Sequence, residues 1–480
     1  MSSGPPSCEA GFAAVEASGD HPRHPRLVLI ACILASSLGF VDGSVVNVGL
    51  PAIGRGLGGD AAGLQWVINA YLLPLSALLL LGGGLGDRFG SRRILVIGVA
   101  LFALGSAGCA AAPGLAWLLA GRAVQGVGAA LFLPNSLAIL GSTFEGAARG
   151  RAIGVWAAVS AISAAVGPVL GGALIDLWSW RAIFLINLPL AAGAIALTLA
   201  VVAAPPRRAE TGRLDLLGAI LATAALGLSV WGLTVGAEPR GWTSASIGAV
   251  AAAALIAAAF VWVEGRQGDR ALTPLALFAS RQLVGLNLMT LLLYGALSGF
   301  LLLVPYVLIV GAGYRATAAG AALLPFPLVM TVGGPVMGTL AGRFGARLLL
   351  TVGSAIVGVG LLLALRIEGD ASYWSAVLPS VLLVAAGMTG AAAPLTTAVL
   401  SAVDRRHTGS ASGLNSAVSR TGGLVATALL GAVLASRGAA LIAHLHQAAL
   451  VGAGLAMMAA LCAWWGLAGD ARRAQAPAGR

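Results

Sequence analysis

The chain of 480 residues contains seventeen Asp and Glu, and sixteen of them lie in tails, loops or the ends of apolar runs. Asp42, in Phe40-Val-Asp42-Gly-Ser44-Val-Val-Asn47-Val-Gly-Leu-Pro51, is the one placed well inside such a run. A charge embedded in hydrocarbon costs several kcal/mol and marks a functional candidate. Desolvation favours the neutral carboxyl, so an acid poised there can take a proton from one side and release it to the other. The competing reading is a structural carboxyl bonded to a neighbouring hydroxyl such as Ser44. Arg122, in Leu118-Leu-Ala-Gly-Arg122-Ala-Val-Gln125-Gly126-Val-Gly128, begins the interior of another run, and Asp42 is one candidate counter-ion. Its chemistry would be tuning of the acid or relay of protons; otherwise it is an arginine reaching back to the interface.

Nothing else in the sequence is built for catalysis. His444 and His446 stand near the outer end of the last apolar run and read as solvated. The four cysteines (Cys8, Cys32, Cys109, Cys462) are scattered, without metal or redox spacing, and read as small apolar fillers. There is no Ser/His/Asp arrangement, phosphate-binding loop or metal-ligand cluster. No catalytic residue, cofactor or metal is therefore expected, and the chain does not read as an enzyme.

The elements that hold Asp42 and Arg122 are membrane helices. The sequence is 59% hydrophobic and 9% charged, too little charge to cover a soluble surface. Apolar runs long enough to cross a hydrocarbon core of roughly 30 Å recur throughout, and helices are the expected spanning form. Fourteen spans are expected, near 27–50, 63–85, 92–112, 115–138, 150–176, 181–204, 214–236, 244–264, 282–310, 316–340, 346–366, 374–402, 410–436 and 447–468. The net charge of +11 comes from 28 basic residues, all arginine. Twenty fall in one set of alternate loops and tails and six in the other, with Arg122 and Arg420 in or at the edge of spans. This is the positive-inside pattern, not a nucleic-acid footprint. It places the chain in the cytoplasmic (inner) membrane with both termini cytoplasmic.

A duplication sets the plan. Gly83-Gly-Leu-Gly-Asp87-Arg88-Phe89-Gly90-Ser91-Arg92-Arg93 reappears as Gly338-Thr-Leu-Ala-Gly342-Arg343-Phe344-Gly345-Ala346-Arg347. Both are read as short basic loops, after the second and the tenth span. The domain plan is then a disordered tail (1–25), a six-helix bundle (26–204), a linker with two inserted spans (205–270), a second six-helix bundle (271–468) and a tail (469–480). Within the first loop, Asp87 can accept from backbone N–H groups at a helix start or pair with arginine. Arg88, Arg92 and Arg93 can reach lipid phosphates or acids such as Glu145, or serve only as a positive-inside anchor. Gly154, Gly167-Pro168 and Gly171-Gly172 in the fifth span read as a hinge seam, since proline kinks a helix and glycine allows close packing. Asn47, Asn69, Tyr71, Gln125, Asn135, Trp156, Asn287, Tyr294, Tyr306 and Asn415 are embedded polar or aromatic groups that either line a substrate cavity or bridge helices.

At these residues the sequence resembles the major facilitator superfamily, in particular its fourteen-span drug:proton antiporters. Asp42…Asn47-Val-Gly-Leu-Pro51 is similar to that family's first-helix motif, and Trp66-Val…Ala70-Tyr71-Leu72 to its second. Gly83-x-x-x-Asp87-Arg88-x-Gly90-x-Arg92-Arg93 resembles the superfamily's loop signature. Arg122-x-x-Gln125-Gly126-x-Gly128 resembles the fourth-helix motif, and Gly154 through Gly167-Pro168-x-x-Gly171-Gly172 the antiporter motif. Ser179-Trp-Arg-x-Ile-Phe-Leu-Ile-Asn187-x-Pro189 and Ala411-Ser-Gly413-Leu-Asn415…Arg420-x-Gly422-Gly423 also match. The resemblance implies an all-α fold of two six-helix bundles plus two inserted helices, a working monomer, and proton-driven efflux by alternating access. It implies proton coupling at Asp42, proton relay at Arg122, and a leak-limiting seam at Gly167-Pro168. For Asp87 it implies a charge–dipole contact with the helix starting near Gly409. Ser163 departs from the pattern, standing where another glycine is usual. The later spans carry no acid, which speaks against dicationic substrates.

The expectation is an exporter that exchanges protons for a small amphipathic compound. The alternatives are a dedicated exporter of one metabolite or natural product and, from another class, a non-transporting membrane sensor.

Overall fold

The computed structural model describes residues 24–203, 215–237, 241–267, 278–368, 372–403 and 408–468. The tails, the linker around Pro205–Arg213 and the arginines Arg240, Arg270, Arg405 and Arg406 lie outside the described residues. The described residues form helices and short connections, with no strand among them.

In chain order the helices are α1 (Pro25–Leu57), α2 (Ala61–Phe89), α3 (Ser91–Ala110), α4 (Leu115–Thr143), α5 (Gly146–Leu177), α6 (Ala182–Leu185) and α7 (Asn187–Val201). An inserted pair follows, α8 (Leu216–Gly236) and α9 (Ser244–Gln267). The second half comprises α10 (Arg281–Val310), α11 (Ala316–Ala321), α12 (Pro325–Phe344), α13 (Ala346–Leu363), α14 (Leu378–Ser401), α15 (Thr408–Leu429), α16 (Gly431–Ala435) and α17 (Gly438–Gly466). Thirteen described helices or helix pairs are long and apolar enough to cross a membrane. The remaining expected span, 410–436, is α15 with α16. The 22 residues of α15 reach across the hydrocarbon at about 1.5 Å each. A polar stripe of Ser412, Asn415, Ser416 and Ser419, which share one face at helical spacing, keeps this helix less apolar than the others.

Besides 410–436, which divides at Leu430, two of the expected spans are broken. The sixth divides into α6 and α7 at Ile186, and the tenth into α11 and α12 before Pro325. The duplicated stretch is not a loop of ten residues but mostly helix. Gly83 to Phe89 continues α2, and the turn into α3 is Gly90 alone, at φ +94°. The second copy does the same with Gly345 at φ +79°, a backbone region that costs residues with a Cβ. The symmetry extends further. Arg92 donates to the Leu199 carbonyl at 2.7 Å and Arg347 to the Trp464 carbonyl at 3.0 Å, each reaching the end of the last helix of its own half.

Small residues set the helix spacing. A Cβ on Gly98 would stand 2.8 Å from the Gly128 carbonyl, and one on Gly353 2.7 Å from that of Gly387. In hydrocarbon, where water drives no helix together, such backbone approach is what packs spans. The halves meet where α2 packs on α15, α1 on α10, and α5 on α11 and α12; α8 lies against α2 and α15.

Candidate functional site

Five elements of the first half converge on Asp42. Its Oδ2 is paired with Arg122 Nη1. Its Oδ1 accepts from Gln125 Nε2 and from Asn187 Nδ2, both at 3.0 Å. Arg122 is also committed elsewhere: Nε donates to the Val67 carbonyl at 3.0 Å and Nη1 to Gln125 Oε1 at 2.8 Å. Its guanidinium carbon lies 4.4 Å from the Tyr71 ring centroid and 5.9 Å from that of Phe184. Ser106 Oγ accepts from Gln125 at 2.7 Å and from Asn187 at 3.2 Å, closing the network through α3. Asp42 is 0% exposed and Arg122 1%, so neither reaches back to the interface, and in this conformation no solvent touches the acid.

The electrostatics follow from the inventory. Every group around Asp42 is a donor, so the pocket is built to hold the carboxylate. A buried pair holds only when the remaining donors and acceptors are satisfied, and Val67, Gln125 and the two aromatic faces do this for Arg122. Ser44, the alternative partner, turns away and donates to the Phe40 and Val41 carbonyls of its own helix.

Three turns of α5 form the second part of the site. A Cβ on Gly167 would stand 2.1 Å from Ser44 Oγ, and one on Gly171 2.0 Å from a Val45 methyl, so this face sits directly on α1. The neighbouring face crosses to the other half. A Cβ on Gly172 would meet the Ala316 carbonyl at 2.4 Å, and one on Gly320 the Pro168 carbonyl at 2.2 Å. Gly154 is apart from this seam, exposed and with nothing within 4 Å of a Cβ. Ser163 uses its hydroxyl to donate to Ser37 on α1 at 2.9 Å. The seam ends in a contact that was not legible in the sequence. Asp176 accepts from the Ala316 and Thr317 backbone N–H groups at 3.3 and 2.9 Å and from the Thr317 hydroxyl at 2.6 Å. A carboxylate of the first half thus caps a helix of the second, satisfying N–H groups that have no intrahelical partner.

The other predicted residues are dispersed. Asp87 and Arg88 are exposed in the last turn of α2, where Arg88 lies over Phe89; the Asp87 side faces the region where α2 and α15 pack, with Leu80 against Gly413. Side chains 408–410 at the start of α15 are outside the described residues. Most of the cavity candidates bridge helices. Asn135 donates to the Gly82 and Leu131 carbonyls, Trp156 to Ser36, Tyr306 to the Leu434 carbonyl, and Asn415 to Asn287 and Thr290. Tyr71 donates to the Gly39 carbonyl at 3.2 Å while stacking on Arg122. Asn47 and Tyr294 are half-buried. Asn69 is 0% exposed, and neither amide atom has a partner. His444 bonds Ser436 and His446 the Ile367 carbonyl, so neither is simply solvated.

Sequence reasoning missed Asn187 and Ser106; Asn187 stood in a quoted motif, and Ser106 carried no signal. It also missed Glu264, which is fully buried in the last turn of α9 against the start of α8, where Asp215 caps Gly218 and accepts from Gln267. Asp42 is thus not the only buried acid. An apolar cavity of about 340 Å³ lies between α10, α13 and α17, lined by Phe300, Leu361 and Leu455, wholly within the second half and away from Asp42.

Comparison with known proteins agrees with this architecture. The Major Facilitator Superfamily profile matches residues 32–427. The chain is 36% identical over 429 residues to the multidrug resistance protein Stp of Mycobacterium tuberculosis, covering 89% of this chain and 79% of that one. It is 34% identical over 452 residues to a methylenomycin A resistance protein of Bacillus subtilis, covering 92% and 94%. It is 36% identical over 414 residues to the cephamycin export protein CmcT of Amycolatopsis lactamdurans, covering 83% and 84%. Among solved structures it superposes on the POT family transporter PepTSo with a TM-score of 0.68 at 16% identity, covering 95% and 100%. It superposes on the xylose transporter XylE of E. coli, partially occluded and inward open, with a TM-score of 0.64 at 15% identity, covering 92% and 97%. With its two duplicated helical halves and its chain-long match to these proteins, this polytopic membrane protein belongs to the major facilitator superfamily.

Proposed function

We propose that the chain is a proton-coupled exporter that expels small drug-like compounds across the cytoplasmic membrane by alternating access, working as a monomer with both termini in the cytoplasm. The relatives named for drug resistance and export support the cargo class. The observation that carries the coupling is Asp42, buried against Arg122 and ringed by Gln125 and Asn187. Protonating the carboxyl removes the charge that Arg122 holds, so the proton changes which state of the bundle is favoured. One embedded pair fits one or few protons per cycle. The end of the bundle bearing Asp176 would face outward, and its seam with α11 is closed.

The test is transport of a fluorescent cytotoxic dye into everted vesicles under an imposed pH gradient. Asp42→Asn leaves Arg122 its bonds to the Val67 carbonyl and Gln125, so it should still fold, with a lowered Tm, and lose pH-driven uptake. Uptake at the native rate in that variant removes Asp42 from the coupling step. A dedicated exporter of one compound is the second reading, favoured because two relatives are named for a single antibiotic each. A growth-inhibition panel across unrelated toxic compounds separates the two.

A further inference from the structure

We propose that Arg420 binds an acidic group of the transported compound, so that this exporter prefers amphipathic carboxylates to neutral or cationic analogues. The proposal rests on the export reading above and names its substrate class. Arg420 stands past the middle of α15, flanked by Thr421-Gly-Gly on one side and Val418-Ser419 on the other. Unlike Arg122, it forms no hydrogen bond, ion pair or ring contact with any described residue. Asp42 is already held by Arg122. A cation within a span is costly without a partner, and the protein supplies none among the described residues.

Its position shows where a partner would come from. Arg420 shares a face of α15 with Gly413, Leu424 and Thr427, by helical spacing. That face meets α2 across the two halves. Gln65 Nε2 donates to the Thr427 and Ala428 carbonyls at 2.8 and 3.0 Å. Leu424 packs among Leu72 and Leu73, and a Cβ on Gly413 would meet Leu80 at 2.3 Å. Arg420 lies between these levels, and its charge acts on the Tyr71 hydroxyl. Tyr71 carries Arg122 on its ring.

A second group points to a ligand at the same level. Asn69 is one turn from Gln65 on the α15-facing side of α2, fully buried, with both amide atoms unpartnered. The antiparallel register that sets Gln65 against Thr427 and Leu80 against Gly413 places Asn69 level with Leu424, one turn from Arg420. An unpartnered buried amide is costly. A guanidinium of one half and an amide of the other together suit a carboxylate, which accepts charge-assisted bonds from both. A group held there bridges two bodies that rock against each other.

The test uses the whole protein purified in detergent and three probes: 2-naphthoate, its methyl ester and the 2-naphthyl trimethylammonium cation. Binding is read as the ligand-dependent rise in Tm, corrected for empty micelles. Native protein should bind the acid about tenfold or more tightly than either analogue, the effect of one charge-assisted bond. Arg420→Gln should erase that preference while leaving ester binding within about twofold, and Arg420→Lys should retain part of it. Equal binding of the three probes, binding of none, or equal weakening of all by Arg420→Gln overturns the proposal. So does loss of pH-driven transport of a neutral dye in Arg420→Gln vesicles, which would assign Arg420 to proton coupling. Failure of the export reading looks different: the acid preference and its loss in Arg420→Gln would stand, while vesicles show no pH-driven uptake at all.

Discussion

Asp176→Ala should loosen the seam between α5 and α11 by a predictable amount. The native carboxylate accepts three hydrogen bonds from Ala316 and Thr317, and the helix it caps has no other side-chain cap. Removing an acidic N-cap costs about 1 kcal/mol, with a range of roughly 0.5–2, and the dipole contribution at an exposed helix start adds about 0.3–1. The side chain is half-buried, so solvent recovers part of this, and about 1–2 kcal/mol is a fair net figure. Because the contact joins the halves, that loss falls only on the state in which the seam is closed. At about 1.4 kcal/mol per factor of ten, the ratio of closed to open should fall about five- to thirtyfold. Trp178 and Arg315 flank the contact and are both exposed, which makes them suitable sites for spin labels in a cysteine-free background. Pulsed electron resonance should show a short-distance population in the native protein and a marked gain in a longer one in Asp176→Ala. Asp176→Asn, which keeps a carbonyl acceptor, should fall between. If the ratio changes by less than about twofold in Asp176→Ala while both populations are resolved, the carboxylate does not hold the seam.

Two further substitutions probe the rest of the site. Arg122→Gln should destabilise strongly, by about 3–5 kcal/mol, because it leaves a buried carboxylate unpaired; the double variant Asp42→Asn/Arg122→Gln should recover most of the loss in a detergent-Tm measurement, and a strictly additive double variant would show the pair to be energetically independent. Within the glycine pattern of α5, Gly154→Ala should leave Tm and transport unchanged, since nothing lies near its Cβ, whereas Gly172→Ala should impair both, since a Cβ there meets the Ala316 carbonyl at 2.4 Å; equal effects in a Tm and dye-uptake comparison would contradict the seam geometry.

The sequence pointed to the buried Asp42–Arg122 pair because the physics of embedding is severe. An embedded Asp and an embedded Arg are each costly alone, which made Asp42 a candidate counter-ion of Arg122, but the same argument gave Arg420 no partner. It failed for Glu264 because an acid in the last turn of a span resembles a loop residue, whereas this one is buried against the start of α8. Asn187 and Ser106 gave no such warning, since neutral polar residues in spans usually bond only to neighbouring helices. The duplicated glycine stretch was misread as a loop because glycine breaks helices in water; between packed spans the same residues continue α2 and α12, and a single positive φ makes each turn. The breaks at Ile186 and before Pro325 lie inside continuous apolar runs, so hydropathy alone does not locate them. Asp176 belongs to the same class: its partner is 140 residues away.

The arrangement offers a route by which the proton proposed at Asp42 would bear on a seam between the two halves. Asp42 and the Ser44-Val45 pair are adjacent on α1 but face different neighbours. Asp42 is held by α4 and α7, while Ser44 and Val45 receive Gly167 and Gly171 of α5. The next face of α5 bears Gly172 and Asp176 on α11. At these two glycines the short Ser44 and Val45 side chains press directly on the α5 backbone, with the Val41 and Val45 carbonyls 3.1 and 3.4 Å from where a Cβ would stand, so there is little room for α1 to shift against α5 without the contact breaking. Neutralising Asp42 releases α1 from the strongest interaction that ties it to α4. That release would reach the seam with α11 through the Gly167 and Gly171 contacts, and Arg420 sits on the other inter-half surface, where α2 meets α15. The proposed proton site and the proposed cargo site therefore act on separate contacts between the same two bodies, which would let one drive the other without occupying the same place.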